Sequence, residues 1–289
     1  MIATWAQRPG ISARSVLVTI FGDTVLPVTN TFWLSQLFSL TEVFGFSQRL
    51  VRTSMFRLST DGWFTSQRVG RQSQYTATQL AIEEVDQASH RIYGPIEYDW
   101  RATPWTLVIL DPAATAAERT RLGDHLKWNG FFRLGTDLLG SPTVAPDDAK
   151  RLAATGSATP TMRAVATANF EDLEALLADG FFTHGFDTEA MQLGYKEVVE
   201  DYRAISNRLA SLNSFEAFAF RTMLVHDLRR IKLRYPELPA SFHGPDWIGR
   251  EAHKIARESY PQLSRRAAPA LSELLQVDYP SSFAERFAR

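Results

Sequence analysis

The chain has 289 residues, long enough for two or three domains that each bury a core. It has no cysteine, which excludes disulfides, thiolate zinc sites and cysteine redox sensing, and fits a reducing cytosol. The formal charge of −1 hides an asymmetry: residues 1–78 carry seven Arg against three acids, a net of +4, leaving −5 for the other 211 residues. Any nucleic-acid surface is therefore expected in the N-terminal part. The opening MIATWAQRPG lacks the long apolar core of a signal peptide, and no run approaches the roughly 18 apolar residues of a membrane span. A cytoplasmic protein is expected.

In chain order, Ala13 to Gly22 reads as a short amphipathic helix and Trp33 to Phe44 as a second, entered through a loop from Pro27 to Thr31. Gly45 marks the turn to a third helix, Gln48 to Asp61, with Ser47 as its N-cap. On a helical wheel Leu50, Val51, Ser54, Met55 and Leu58 share one side, the stripe of a core-facing helix. Arg49, Arg52, Thr53, Phe56 and Thr60 share the other. Guanidiniums and a hydroxyl on an outward face suit the major groove, where bidentate Arg to guanine is the commonest specific contact. An aromatic there, Phe56, needs something to meet, and a thymine methyl or a protein surface would serve.

Gly62 stops that helix. Trp63 to Gln67 and Ser73 to Thr78 read as strands joined by Arg68-Val69-Gly70-Arg71, with Arg68, Arg71 and Gln72 at the tip. Three helices and a hairpin form the outline of a winged helix-turn-helix, in which Arg52 and Thr53 would read bases while Arg49, Arg57, Arg68 and Arg71 hold phosphates. Winged helices also serve as protein-docking modules. Five Arg against one acid between Ser47 and Thr78 make a poor neutral docking face.

These residues carry a resemblance. Val16 to Gly22 with Asp23, then LVRTSMFRL, DGWF and RVGRQSQY, resemble the phenylacetic-acid-degradation repressor family, the PaaX-type regulators. The matches fall on Leu50 to Thr53, Arg57, Leu58, Asp61 to Trp63, Arg68, Gly70, Arg71, Ser73 and Tyr75. Ser54 and Gln72 depart from the family's Ala and Arg. The DNA-binding set expected on this basis is Arg49, Arg52, Thr53, Phe56, Arg57, Arg68, Arg71, Gln72 and Tyr75.

Beyond the hairpin, Gln79 to Ser89 reads as an acidic helix and His90 to Pro95 as a connection. Then come a strand at Trp105 to Leu110, a helix at Ala113 to Trp128, a strand at Phe131 to Leu139, a helix at Asp147 to Thr155, a strand at Met162 to Ala168 and a helix at Phe170 to Ala178. This alternation predicts a ferredoxin-like α+β sandwich. The PaaX-type family carries such a domain, similar to the Cas2 nuclease fold, and Trp105, Leu107, Val108, Asp111, Gly130 and Phe131 match its pattern. A metal-dependent nuclease using Asp111 is the catalytic alternative, but no second acid stands at a suitable spacing, and a turn role before Pro112 explains Asp111 better.

From Phe182 the chain reads helical: Thr188 to Leu212, Ser214 to Tyr235, Trp247 to Tyr260 and Leu263 to Leu275. Here LRRIKLRYPELP and PDWIGREA resemble the family again, through Arg230, Leu233, Arg234, Pro236, Leu238, Pro239, Asp246, Trp247, Gly249 and Ala252. The six histidines, His90, His125, His184, His226, His243 and His253, form no metal spacing, and no acyl-transfer, nucleotide or dinucleotide motif appears. No enzyme activity, cofactor or metal is expected.

The expected organisation is multidomain α+β: a winged helix with linker in 1–92, a ferredoxin-like (Cas2-like) domain in 93–180 and an all-α effector and dimerisation domain in 181–289. The resemblance implies a homodimeric repressor of an aromatic-acid catabolic operon, released from an inverted-repeat operator by an aryl-acyl-CoA such as phenylacetyl-CoA. Arg221, Arg230 and Arg234 for the phosphates, near Phe215, Phe218 and Phe220, with Trp247 walling an apolar slot, are the candidate effector residues. An alternative left open is that these aromatics are core and the cations a solvated face.

Overall fold

The computed structural model describes residues 1–94, 104–155, 161–169, 188–235 and 246–287. They form an α+β protein with one three-stranded sheet, one four-stranded sheet and a helical C-terminal part. The chain divides into two units. Met1–Gly94, Tyr195–Arg230 and Ile248–Arg289 make the first; Pro95–Gly194 and Ile231–Trp247 make the second.

The first unit opens with helices α1 (Ile2–Ala6) and α2 (Ala13–Ile20), the latter capped by the Ser12 hydroxyl and widening into a π turn at Phe21–Val25. Strand β1 (Thr31–Trp33) follows, then α3 (Leu34–Glu42), α4 (Gln48–Thr60), β2 (Phe64–Val69), β3 (Gln72–Ala77) and α5 (Gln79–Tyr93). Strand β1 begins where a loop was expected to end. Its Phe32 is buried between Phe21 and Phe64, with ring centroids 5.0 and 5.4 Å away, and β1 pairs antiparallel with β3. The α5 helix runs past His90, where a connection was expected, because Ile92 and Tyr93 are buried on its last turn.

Two long helices complete this unit's core. In α9 (Ser214–Arg234) the polar side chains turn inward and meet α2 in antiparallel order. Arg229 Nη2 donates to Ser15 Oγ at 2.9 Å, His226 Nδ1 and the Thr19 hydroxyl are hydrogen-bonded at 3.0 Å, and Arg221 Nε is paired with Asp23 Oδ2 at 2.9 Å. The numbers climb along α2 and its π turn while they fall along α9, which is what antiparallel helices require. Burial holds the His226 imidazole well below its ordinary range, with Arg229 and Arg230 adding to the effect. The helix Ile248–Leu275 (α10) was expected as two pieces. Ala252, Ala256, Tyr260, Leu263, Ala267, Leu271 and Leu275 form one unbroken buried stripe along it, and that burial carries the helix through Pro261 and Pro269 despite the backbone hydrogen bonds that proline forfeits.

Asp23, with no exposure to water, is where these elements meet. Its Oδ1 accepts from the hydroxyls of Tyr93 and Tyr260, each at 2.7 Å. Arg286 Nη1 lies 3.5 Å from the same oxygen. Arg221 Nη2 donates to Thr24 Oγ1 at 2.8 Å and to Tyr279 Oη at 2.9 Å. Burial, the largest single influence, would drive Arg221 toward its neutral form, but the Asp23 carboxylate together with Tyr279 and Tyr260 outweighs it and raises its pKa. Nearby, Trp5 Nε1 donates to Asp227 Oδ2 at 2.8 Å and Arg8 grips Asp201 with two hydrogen bonds of 2.6 and 2.8 Å, which ties α1 down.

The second unit has strands and helices in the order β4 (Trp105–Leu110), α6 (Ala116–Trp128), β5 (Phe132–Arg133), β6 (Leu138–Ser141), α7 (Pro146–Thr155) and β7 (Met162–Ala168). The sheet order is β5-β6-β4-β7, all antiparallel. Where one strand was expected from Phe131 to Leu139 there are two, because Leu134 N turns back to Leu138 O at 2.8 Å. Val108, Leu110, Leu122, Leu126, Phe131, Leu139, Ala149 and Ala153 form its core. The helix α8 (Thr188–Ile205) begins in this unit, and its last turns continue as a 3₁₀ segment, Ser206–Ser211. The expected helix Phe170 to Ala178 lies outside the described residues, as do Pro236, Leu238, Pro239, His184 and His243.

Removing one member of a buried ion pair strands the other, so Arg221→Met is expected to cost about 3–5 kcal/mol in urea unfolding followed by circular dichroism. A change below about 1 kcal/mol, the scale of exposed pairs, would mean the pair is not structural. A second expectation concerns Asp227, whose carboxyl is pushed up from 3.8 to about 7, chiefly by burial and secondarily by Asp201, against the lowering effect of the Trp5 hydrogen bond. Between those two values the folded chain holds a proton that the unfolded chain has released, so this group makes the protein less stable as pH rises through the window, and the loss levels off above it. Asp227→Asn keeps an acceptor for Trp5 and should lose this part of the pH slope. Parallel stability curves for the two proteins would refute it.

Candidate nucleic-acid interface

Helix α4 is built with two unlike faces. Val51, Met55 and Leu58 are fully buried and Ser54 nearly so, and the helix packs against α2, α3 and β2. Leu50 departs from the expected stripe. It lies roughly a quarter turn from the stripe's centre in the first helical turn, and it is 44% exposed. The helix starts at Ser47, whose Oγ accepts from Leu50 N at 3.3 Å. It ends at Gly62 in the left-handed conformation, φ +81°, with Gly62 N bonded to Ser59 O and Trp63 N to Leu58 O. That pair of bonds is a Schellman stop, which only glycine fits without strain.

The other face of α4 presents Arg49, Arg52, Thr53, Phe56, Arg57 and Thr60, all exposed. Phe56 is 71% exposed, the most exposed large apolar side chain among the described residues. Arg52 is held in place: its guanidinium carbon sits 4.7 Å from the centre of the Phe38 ring on α3, and its Nη2 donates to Gln48 Oε1 at 3.3 Å. Asp61, the one acid between Ser47 and Thr78, is ion-paired with Arg14 of α2. The face therefore keeps its positive character.

The hairpin stands beside this helix in sequence and shares its unit. Register runs from Phe64↔Ala77 to Val69↔Gln72, leaving Gly70 and Arg71 as the two-residue turn. Gly70 has φ +62° and Arg71 does not cross into positive φ, the pattern of a type II′ hairpin turn. Arg68, Arg71 and Gln72 are exposed at its tip, and Arg68 Nε donates to Gly70 O at 3.3 Å. Tyr75 stacks on Phe32 with centroids 5.9 Å apart and is half-buried, and burial raises its phenol pKa. Of the sequence-predicted DNA-binding residues, then, Tyr75 alone is partly withdrawn into the sheet.

The effector candidates fare differently. Arg221, expected beside a ligand's phosphates, is instead sealed in the core with its charge taken by Asp23, because a buried guanidinium must be paired where it lies. Arg230 is exposed, and its Nη2 would lie 2.7 Å from a Cβ at Gly10. In the second unit Arg234 stacks over Tyr235 at 5.5 Å and Trp247 is buried. Among the aromatics expected near them, Phe218 and Phe220 are core while Phe215 is exposed.

Asp111 is a turn residue: its Oδ1 accepts from Ala113 N at 3.0 Å. Among the described residues no group of three or more His, Asp or Glu stands close enough to hold a metal ion. None of their helices is long and apolar enough to cross a membrane. Phe38 was not singled out from the sequence. Its role depends on how α3 crosses α4, and no spacing within one helix signals that.

Two family models match the chain: one described as PaaX-like protein over residues 12–80 and one described as PaaX-like protein C-terminal domain over residues 186–273. The Transcriptional repressor PaaX of Escherichia coli (strain K12) is 25% identical over 282 residues, 91% of this chain and 84% of that protein. A solved structure titled Uncharacterized protein Rv0674 from Mycobacterium tuberculosis is 19% identical, covering 90% of this chain and 99% of its own with a TM-score of 0.49. With both family models matched, over more than half of its length, this chain belongs to the PaaX-like protein family.

Proposed function

We propose that this protein is a DNA-binding transcriptional repressor that acts in the cytoplasm as a homodimer, without an enzyme activity of its own. One observation carries the reading: a helix with a buried apolar face turns five polar or cationic side chains and Phe56 outward, directly before a hairpin tipped by two arginines. The relationship to a protein named a transcriptional repressor supports it. In this reading α2, α3, α4 and the β2–β3 hairpin are a winged helix-turn-helix with α4 as recognition helix. The β-α-β-β-α-β order and the β5-β6-β4-β7 sheet of the second unit support a ferredoxin-like name for that part.

We assign base reading to Arg52 and Thr53, an apolar contact to Phe56, and phosphate contacts to Arg49, Arg57, Arg68 and Arg71, with Gln72 and Tyr75 near the wing. The regulated genes would encode catabolism of an aromatic acid, with an aryl-acyl-CoA of the phenylacetyl-CoA type as inducer. Arg230, Arg234 and Trp247 remain its candidate contacts. Arg221 is left out because Asp23 already holds it.

Footprinting of the bound operator should reveal two inverted half-sites about one helical turn, or a multiple, apart. In salt titrations Arg68→Ala should weaken every duplex alike and lower the salt slope by about one, whereas Arg52→Ala should cost about 1–3 kcal/mol and relax one base position. Loss of specificity in both, or neither, would mean the roles are misassigned. For the inducer, operator release should follow an aromatic acyl-CoA and not the free acid, since a ligand dissociates a repressor only by favouring its free state. Arg230→Ala and Arg234→Ala should blunt that release without changing operator affinity in the absence of ligand. Equal potency of the free acid would sink the inducer assignment and leave the DNA reading standing.

A further inference from the structure

We infer that Phe38 is a specificity-positioning residue: its ring, on α3, holds the Arg52 guanidinium of α4 in the orientation that reads a base. This rests on the DNA-binding reading above and goes beyond it by naming a residue outside the recognition helix and wing.

The geometry has three parts. Leu37, Leu40 and Thr41 are buried on α3, so the helix that carries Phe38 is fixed by the core. The Phe38 ring lies under Arg52 at 4.7 Å from its guanidinium carbon, within the range in which the cation is attracted by the ring's face. Gln48, one turn earlier on α4, takes a single N–H from Nη2 at 3.3 Å. One contact fixes the plane and the other fixes the rotation within it. Stacking covers a face of the guanidinium and leaves the N–H groups along its edge, and a bidentate contact to guanine O6 and N7 uses that edge. The Gln48 contact also draws Arg52 toward the N-terminal end of α4, the end of a recognition helix that contacts base edges.

An exposed arginine free of such contacts samples many rotamers and gives up that freedom on binding. Held beforehand, Arg52 loses less, and a wrong base cannot be met by swinging the side chain elsewhere. Phosphate contacts need no such control, because a point charge near a phosphate suffices. The ring under Arg52 therefore has a meaning for specificity that it would lack under a phosphate-binding arginine.

The test is selection of bound duplexes from a random library by the full-length protein, with sequencing of the recovered pool. Wild type, Phe38→Leu, Phe38→Tyr, Gln48→Ala, Arg52→Ala and the Phe38→Leu/Arg52→Ala double variant are compared, each checked for folding by circular dichroism. Phe38→Leu keeps an apolar side chain and loses the ring; it should weaken preference about 2- to 5-fold at the one base position that Arg52→Ala flattens, with an unchanged salt slope. Phe38→Tyr should keep the preference. Gln48 is exposed, so Gln48→Ala gives the same readout without touching the core, and should also weaken that position. In the Arg52→Ala background Phe38→Leu should add nothing. Full preference in both Phe38→Leu and Gln48→Ala overturns the inference, as does a loss spread evenly over all positions or an additive double variant. If wild type enriches a motif and only the Phe38 result fails, the inference falls alone; if wild type enriches nothing, the DNA-binding reading falls with it.

Discussion

A carboxylate sealed from water is tolerable only among cations and hydroxyl donors, and Asp23 is such a carboxylate. Its partners come from the far ends of the chain: Tyr93 closes α5, Arg221 lies in α9, Tyr260 in α10, and Arg286 in the last described turn. Tyr93 and Tyr260 donate to Asp23 Oδ1 and the two arginines balance its charge, so none of these elements can drift without exposing or orphaning a charge. Apolar packing alone is tolerant of small slides between helices. A four-partner charge cluster is not, and we take it to set the register in which the N-terminal segment and the C-terminal helices meet within the first unit.

That register reaches α4 through α2. The ladder of Ser15, Thr19 and Asp23 against Arg229, His226 and Arg221 orients one face of α2, while Val16, Leu17 and Ile20 are buried with it. Helix α2 packs on α4, and the Arg14–Asp61 pair links their surfaces. An exposed pair of this kind adds little stability. Its larger effect here is on the field: it compensates the single acid next to five arginines, leaving the outward side of α4 and the hairpin tip positive.

Much of this was legible in the sequence because its causes are local. The two faces of α4 follow from a period of 3.6, its start from Ser47, and its stop from Gly62. Strands Trp105–Leu110 and Met162–Ala168 appear with the same bounds as in the structure, since apolar and β-branched runs flanked by turn residues leave few alternatives. What stayed hidden is non-local. Strand β1 exists because Phe32 finds Phe21 and Phe64, and the single helix through Pro261 and Pro269 exists because its stripe finds a core. Arg221 looked like any cation on an amphipathic helix, and only its contact with Asp23, 198 positions earlier, separates it from the exposed Arg230. Phe38 belongs to the same class: a half-buried aromatic on one helix gains meaning from an arginine on the next.

The cations of α9 sort by depth, and the sorting bears on any regulatory reading. Arg221 is neutralised inside, and Arg229 is pushed down to about 10, mainly by burial and further by Arg230, while it donates to Ser15. Arg230 alone of these three is exposed. An anionic ligand would therefore meet Arg230 before Arg221 or Arg229, and Arg230 is the neighbour whose charge already bears on His226, Asp227 and Arg229. Neutralising it would relieve the burden on the two buried bases and weaken the support that Asp227 receives as an anion. A chain of contacts from Arg229 through Ser15 of α2 to α4 is a route and not in itself a coupling; coupling is the difference in ligand affinity between free and operator-bound protein, and it has to be the same whichever ligand is added first.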